Sequence, residues 1–123
     1  MLRGSCNCRA VTFEVVDTIR TSACHCGQCR KQSGHHWASG LAHDGDLTIN
    51  GPVTWYASSP TAKRGFCPTC GSFLFWKMEG EGKISFSLGT IDGATGLRID
   101  RHIFTADKGD YYDIADDVPQ RKD

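Results

Sequence analysis

Residues 64–77 read Arg64-Gly-Phe-Cys67-Pro-Thr-Cys70-Gly71-Ser72-Phe-Leu-Phe-Trp-Lys77, and the fold turns on this stretch. Two cysteines three apart around a tight turn can grip one metal ion, and Gly71 permits the left-handed backbone such a turn uses. The apolar run Ser72–Lys77 that follows has the length of a strand. A thioredoxin-like redox pair would expect a βαβ setting, which the chain lacks. The grip supplies two ligands, so a closed metal site needs two more from elsewhere in the chain.

Working outward, the seven cysteines fall into three clusters: Cys6-x-Cys8, Cys24-x-Cys26-x-x-Cys29 and Cys67-x-x-Cys70. Structural zinc takes four ligands, and catalytic zinc takes three protein ligands plus an open position. Seven divides as four plus three. Cys6 and Cys8 are the natural partners of Cys67 and Cys70, giving a four-thiolate structural zinc. Cys24, Cys26 and Cys29 can reach a second zinc from one loop running into a short helix. From spacing alone this second site is either open to a substrate or closed by a histidine. His25 lies between two ligands and would struggle to turn onto the same metal, but His35, His36, His43 and His102 are candidates. Iron–sulfur ligation fits less well, because the run lacks the ferredoxin spacing.

Most of the remaining chain reads as about seven to nine short strands with few helix signals. Ala10–Val16 alternates, with Val11, Phe13 and Val15 on one face. Leu47–Ile49 and Val53–Tyr56 flank Asn50-Gly51-Pro52, a hairpin signal. Lys83–Leu88 follows the Gly80-Glu81-Gly82 turn, and Leu97–Phe104 reads as a late strand. One or two helical turns are expected over Gln28–Ser33, stopped by Gly34. Trp37, Trp55, Trp76, Phe73 and Phe75 are read as core, Asp92 as a turn former and Ser33 as a helix-ending hydroxyl. The expectation is an all-β single domain over residues 1–123.

Charge and composition narrow the function. The formal net charge is zero, so the basic excess typical of nucleic-acid binders is missing. Residues 1–65 hold seven Lys/Arg against four Asp/Glu, and residues 66–123 hold seven against ten. The cations Arg30, Lys31, Lys63 and Arg64 sit beside the cysteine clusters, where they can offset thiolate charge. The start Met1-Leu-Arg-Gly-Ser-Cys6 has no apolar signal core, and no run of about 18 apolar residues occurs. A cytoplasmic protein with reduced thiols and no membrane contact is expected.

The set Gly4-Ser5-Cys6-x-Cys8, Cys24-His25-Cys26-x-x-Cys29-Arg30-Lys31-x-Ser33-Gly34 and Arg64-Gly65-Phe66-Cys67-x-x-Cys70-Gly71-Ser72 resembles the glutathione-dependent formaldehyde-activating enzyme family, which includes centromere protein V. The likeness continues through Ser85–Asp92 and His102-Ile-Phe-x-Ala-Asp-Lys108, with Tyr111 where the family often shows tryptophan. The resemblance implies a β-tent of several small antiparallel sheets. It also implies a structural zinc at Cys6, Cys8, Cys67 and Cys70 and a catalytic zinc at Cys24, Cys26 and Cys29. The implied activity is carbon–sulfur lyase chemistry on a small thiol–aldehyde adduct, with glutathione as co-substrate. The competing expectation is a non-enzymatic zinc-stapled module that binds protein or nucleic acid.

Overall fold

A computed structural model describes Met1–Asp123. Its elements are β1 (Leu2–Ser5), β2 (Thr12–Val15), β3 (Arg20–Cys24), α1 (Gly27–Ser33), β4 (Trp37–His43), β5 (Leu47–Asn50), β6 (Thr54–Ala57), β7 (Ala62–Phe66), β8 (Phe73–Met78), β9 (Lys83–Ser87) and β10 (His102–Ile103). The ten strands form a three-stranded sheet in the order β1-β2-β5 and a seven-stranded sheet in the order β10-β3-β4-β9-β8-β7-β6. The all-β expectation holds. All strand pairs are antiparallel except β10 with β3, which run parallel.

Apolar alternation explains how the sheets meet. Phe13 and Val15 of β2 point to one side with Leu47 of β5, and Leu74, Ile84 and Phe86 of the large sheet face them. Phe13 meets Phe75 edge to face at 5.1 Å between ring centroids, in the arrangement aromatic quadrupoles favour. Cys6 and Cys67 belong to this same core, at 2% and 0% exposure. Packing and metal-ligand geometry are therefore one problem at this end of the molecule.

The helix begins one residue before the expected start, because Cys26 caps it: its Sγ accepts from the Cys29 N–H. It stops where expected, with Gly34 at φ 82° and its N–H on the Arg30 carbonyl at 2.8 Å. Ser33 ends the helix as read, its Oγ donating to the Cys29 carbonyl at 2.7 Å.

Two strand expectations are overturned. Leu47–Ile49 and Val53–Tyr56 do not form a hairpin: β5 pairs with β2, while β6 pairs with β7 in the other sheet. Gly51 does turn the chain, at φ 102°, but the turn passes it from one sheet to the other. Leu97–Phe104 supplies only His102–Ile103 as strand. The segment before it is held instead by Thr21, whose Oγ1 donates to the Arg98 carbonyl and whose N–H donates to Asp100 at 3.0 Å.

Candidate active site

The turn between β1 and β2 and the turn between β7 and β8 bring Cys6, Cys8, Cys67 and Cys70 together, with all four sulfurs within 4.8 Å of one another. Tetrahedral thiolates about 2.3 Å from a zinc ion stand about 3.8 Å apart. Cys6 and Cys8 Sγ are 3.7 Å apart, as are Cys8 and Cys67. A disulfide would require about 2.05 Å, and all seven cysteines are free. Backbone N–H groups point at the sulfurs: Val11 at Cys6 (3.3 Å) and Thr69 at Cys67 (3.4 Å). Ser72 and the backbone around it lower the Cys70 pKa to about 5. Gly71, at φ 77°, closes the turn by donating to the Cys67 carbonyl at 2.8 Å. This group can hold a metal ion.

The second group forms where β3 runs into α1. Cys24 and Cys26 lie either side of His25 in extended backbone, so alternation sends both sulfurs one way and the imidazole the other. Cys29 returns to them from the first turn of the helix. The three sulfurs lie within 4.8 Å of one another, and no histidine nitrogen joins them. The thiols of Cys24 and Cys29, the Cys29 N–H and the charge of Arg64 hold the Cys26 thiol far below the usual range. The Cys26 and Cys29 sulfurs and burial push Cys24 up. This group too can hold a metal ion.

Arg64 is the side chain that sequence adjacency misplaces. It stands beside Cys67 in the chain, yet alternation along β7 turns it to the opposite face, towards the other cysteine group. Its Nη1 donates to Cys29 Sγ at 3.5 Å and to Gln32 Oε1 at 3.1 Å, and the residue is only 4% exposed. Of the other cations expected to offset thiolate charge, Arg30 donates to the Asp107 carbonyl at 3.0 Å and Lys63 lies over the Trp55 ring at 4.5 Å.

The three sulfurs open onto a cleft of about 650 Å³ on the outer face of the large sheet. Its floor follows strand alternation: Arg20, Ser22 and Cys24 from β3, and Trp37, Ser39 and Leu41 from β4. Trp37 stacks on Phe73 at 4.3 Å, and its Nε1–H donates to Ser87 Oγ at 3.1 Å, fixing the indole beside Cys24 and Cys29. Of the aromatics expected in the core, Phe75 and Trp37 are buried, Trp37 also lining this cleft, while Trp55, Phe73 and Trp76 are only half-buried.

Behind the loop lies a polar network that motif reading missed. His25 is fully buried, with Nδ1 2.5 Å from the Tyr112 hydroxyl and Nε2 2.8 Å from His102 Nδ1. His102 Nε2 is 3.0 Å from the Asp116 carboxylate. Burial, then the neighbouring His36 and His102, lowers the His25 pKa to about 4, so it is neutral at physiological pH. His102 is thus engaged away from the cysteines. The acidic C-terminal stretch, read from sequence only as excess charge, is pinned over this network by Arg121 N–H to the His102 carbonyl (2.9 Å) and Thr105 N–H to the Arg121 carbonyl (3.0 Å). The one sequence signal was His25 itself, wedged between two ligand-type residues. Asp92, read as a turn former, accepts from Ser5 Oγ at 2.8 Å.

A family model described as the glutathione-dependent formaldehyde-activating enzyme matches residues 1–107. The chain belongs to this family. The centromere protein V side of the resemblance rests on sequence likeness alone. A Schizosaccharomyces pombe protein named as an uncharacterized lyase is 30% identical over 115 residues, covering 91% of this chain and 84% of that protein. A solved Rhodobacter sphaeroides protein shares the fold, with a TM-score of 0.66 at 23% identity over 96% of this chain and 98% of the other. No helix here is long and apolar enough to cross a membrane.

Proposed function

We propose that the chain acts as one domain over residues 1–123 and is a zinc-dependent carbon–sulfur lyase working on a small thiol–aldehyde adduct. Family membership and the lyase-named relative support lyase-type chemistry. The observation that carries the proposal is a trio of convergent sulfurs, with no fourth protein ligand, at the wall of a cleft large enough for a small molecule. In this reading Cys6, Cys8, Cys67 and Cys70 hold a structural zinc, and Cys24, Cys26 and Cys29 hold the catalytic one.

A zinc ion bound by the trio would favour the thiolate form of an incoming thiol and polarise an aldehyde oxygen. In the forming direction the thiol sulfur bonds to the carbonyl carbon, and its proton ends on the former carbonyl oxygen. In the breaking direction the carbon–sulfur bond opens, the hydroxyl proton returns to sulfur and the aldehyde is released. Nothing is oxidised or reduced.

The protein's own groups set the stage. Arg64 offsets thiolate charge at Cys29 and keeps that sulfur oriented. Trp37, Trp76 and Ile103 make an apolar wall beside the sulfurs that limits water. The extended Cys24–Cys26 backbone aims two sulfurs at the cleft while His25 anchors it from behind. Glutathione with formaldehyde, as S-hydroxymethylglutathione, is the adduct the family description favours.

The test is exchange spectroscopy by NMR on formaldehyde and glutathione, with and without the protein. Faster interconversion by wild type and none by Cys26→Ser is the expected pattern. Equal rates for the two proteins would remove the zinc-centred reading.

A further inference from the structure

Hydrogen bonding treats the edges of the two sheets differently. β10 ends the large sheet on one side, and the chain's own last residues close it. His102 pairs in parallel with Gln120, its N–H donates to the Pro119 carbonyl at 2.9 Å, and the Arg121 N–H donates to its carbonyl at 2.9 Å. β1 is covered in the same way by Ile91, with the Asp92 N–H on the Arg3 carbonyl at 2.8 Å. β5 emerges from the Asp44–Asp46 turn, which gives that edge the same negative charge on any two copies. β6, at the far end of the large sheet, has neither cover nor charge.

Register shows which groups of β6 stand free. The Ser58 N–H donates to the Ala62 carbonyl at 3.1 Å, so Ser58, Tyr56 and Thr54 turn their backbone groups towards β7. The N–H and C=O of Trp55 and Ala57 therefore point outward, where no further strand meets them. The stretch Val53–Ser59, bracketed by Pro52 and Pro60, holds no charged residue and is rich in strand formers. Edge strands are commonly guarded by a lysine, a proline or a bulge, and none of these lies within Thr54–Ala57. Trp55 stacks on Phe75 at 6.1 Å between ring centroids and anchors the strand to the core. Tyr56, on the opposite face, is left 57% exposed.

We infer that β6 is a self-association edge, pairing antiparallel with β6 of a second copy of this chain. A two-fold axis fixes the register. Trp55 and Ala57 exchange bonds with Ala57 and Trp55 of the other copy, roughly four bonds in all. Tyr56 then meets its own mate at a non-hydrogen-bonded position, about 4.5 Å between Cα atoms, where side chains come closest. A second copy supplies the matching groups by symmetry and opposes no like charges across the pair. The axis stands perpendicular to the sheet, so both cysteine trios face the same side of one continuous sheet. Tyr56 shares its row with Arg64 and Trp76, so the two Tyr56 rings meet on the cleft side, between the two sites. So short a strand pair buries less than the roughly 1,200 Å² of a stable interface, which puts the association in the weak, concentration-dependent class. The pairing does not depend on the lyase reading.

Sedimentation of the protein as purified, from about 10 μM to 1 mM, is the test. Wild type should move from monomer towards dimer as concentration rises. Ala57→Pro removes only an outward N–H and leaves the bonds to β7 intact, so it should raise the midpoint of dimerisation about tenfold or more with an unchanged melt. Tyr56→Lys sets two cations against each other and should do the same, whereas Tyr56→Phe should keep the dimer. Tyr56→Cys should cross-link two copies through that position under mild oxidation, because the expected Cα separation suits a disulfide. A wild type that stays monomeric throughout would overturn the inference. So would a dimer undiminished in both Ala57→Pro and Tyr56→Lys, or one that Tyr56→Cys does not cross-link.

Discussion

Cys8 and Cys67, in sulfur contact, are 59 residues apart in the chain, whereas Cys24, Cys26 and Cys29 come from six consecutive residues. The long-range group joins the small sheet to the large one, and two of its sulfurs lie in the hydrophobic core. The three local sulfurs close only a six-residue loop and face a cleft. Chain entropy explains why the two suit different work. A metal that closes a long loop removes much freedom from the unfolded chain, so its free energy appears as folding stability. A metal held within one loop removes little, so its affinity can be spent on an incoming ligand. On the proposed reading, two sets of identical donor atoms are divided between architecture and chemistry.

The comparison breaks most visibly at the long-range group. Cys70→Ser, or removal of both metals with a strong chelator, should unfold the protein. Structural zinc contributes about 10–16 kcal/mol in small peptides, against about 5–15 kcal/mol for a whole domain. Circular dichroism should show loss of the cooperative melt. A Cys70→Ser variant that melts normally would mean that the two sheets hold without the staple.

At the local group the effects should separate. Cys26→Ser is expected to lower adduct exchange roughly 1,000-fold, the value of several kcal/mol of lost electrostatic stabilisation, with a melting temperature within a few degrees of wild type. A collapse of the melt in this variant would erase the distinction between the two groups.

Smaller effects sharpen it. Arg64→Gln should weaken zinc affinity or activity at the local group by about 10–100-fold, and competition with a metallochromic dye should show the four-sulfur group unmoved. Tyr112→Phe removes the partner of His25 Nδ1 and should cost about 1–3 kcal/mol in urea unfolding, with both metals retained. Loss of the local metal in that variant would give the buried network a larger part in holding the loop than its geometry indicates.

The cysteine groups were legible because ligand spacing is local information and a count of seven has few sensible partitions. The helix was legible for the same reason, with Gly34 supplying its stop. Strands β3 and β7 were not, since Arg20–Cys24 and Ala62–Phe66 carry polar residues on both faces and show no clean apolar alternation. Without those strands, Arg64 could be placed only by its neighbour Cys67. The Asn50-Gly51-Pro52 signal marked a real turn, but which strands pair across it is a tertiary choice, and β2 and β7 were better partners. His102 and Tyr112 meet His25 over 77 and 87 residues, a distance no motif spans.

The central claim is that one cysteine group is closed and the other open. Anomalous diffraction at the zinc edge, on crystals of the protein as purified, tests it most directly. Two zinc peaks are predicted. One should be ringed by the sulfurs of Cys6, Cys8, Cys67 and Cys70 at about 2.3 Å. The other should be held by Cys24, Cys26 and Cys29, with a solvent or thiol ligand completing it from the cleft. A single zinc, or a histidine nitrogen in the fourth position of the second, would contradict the account.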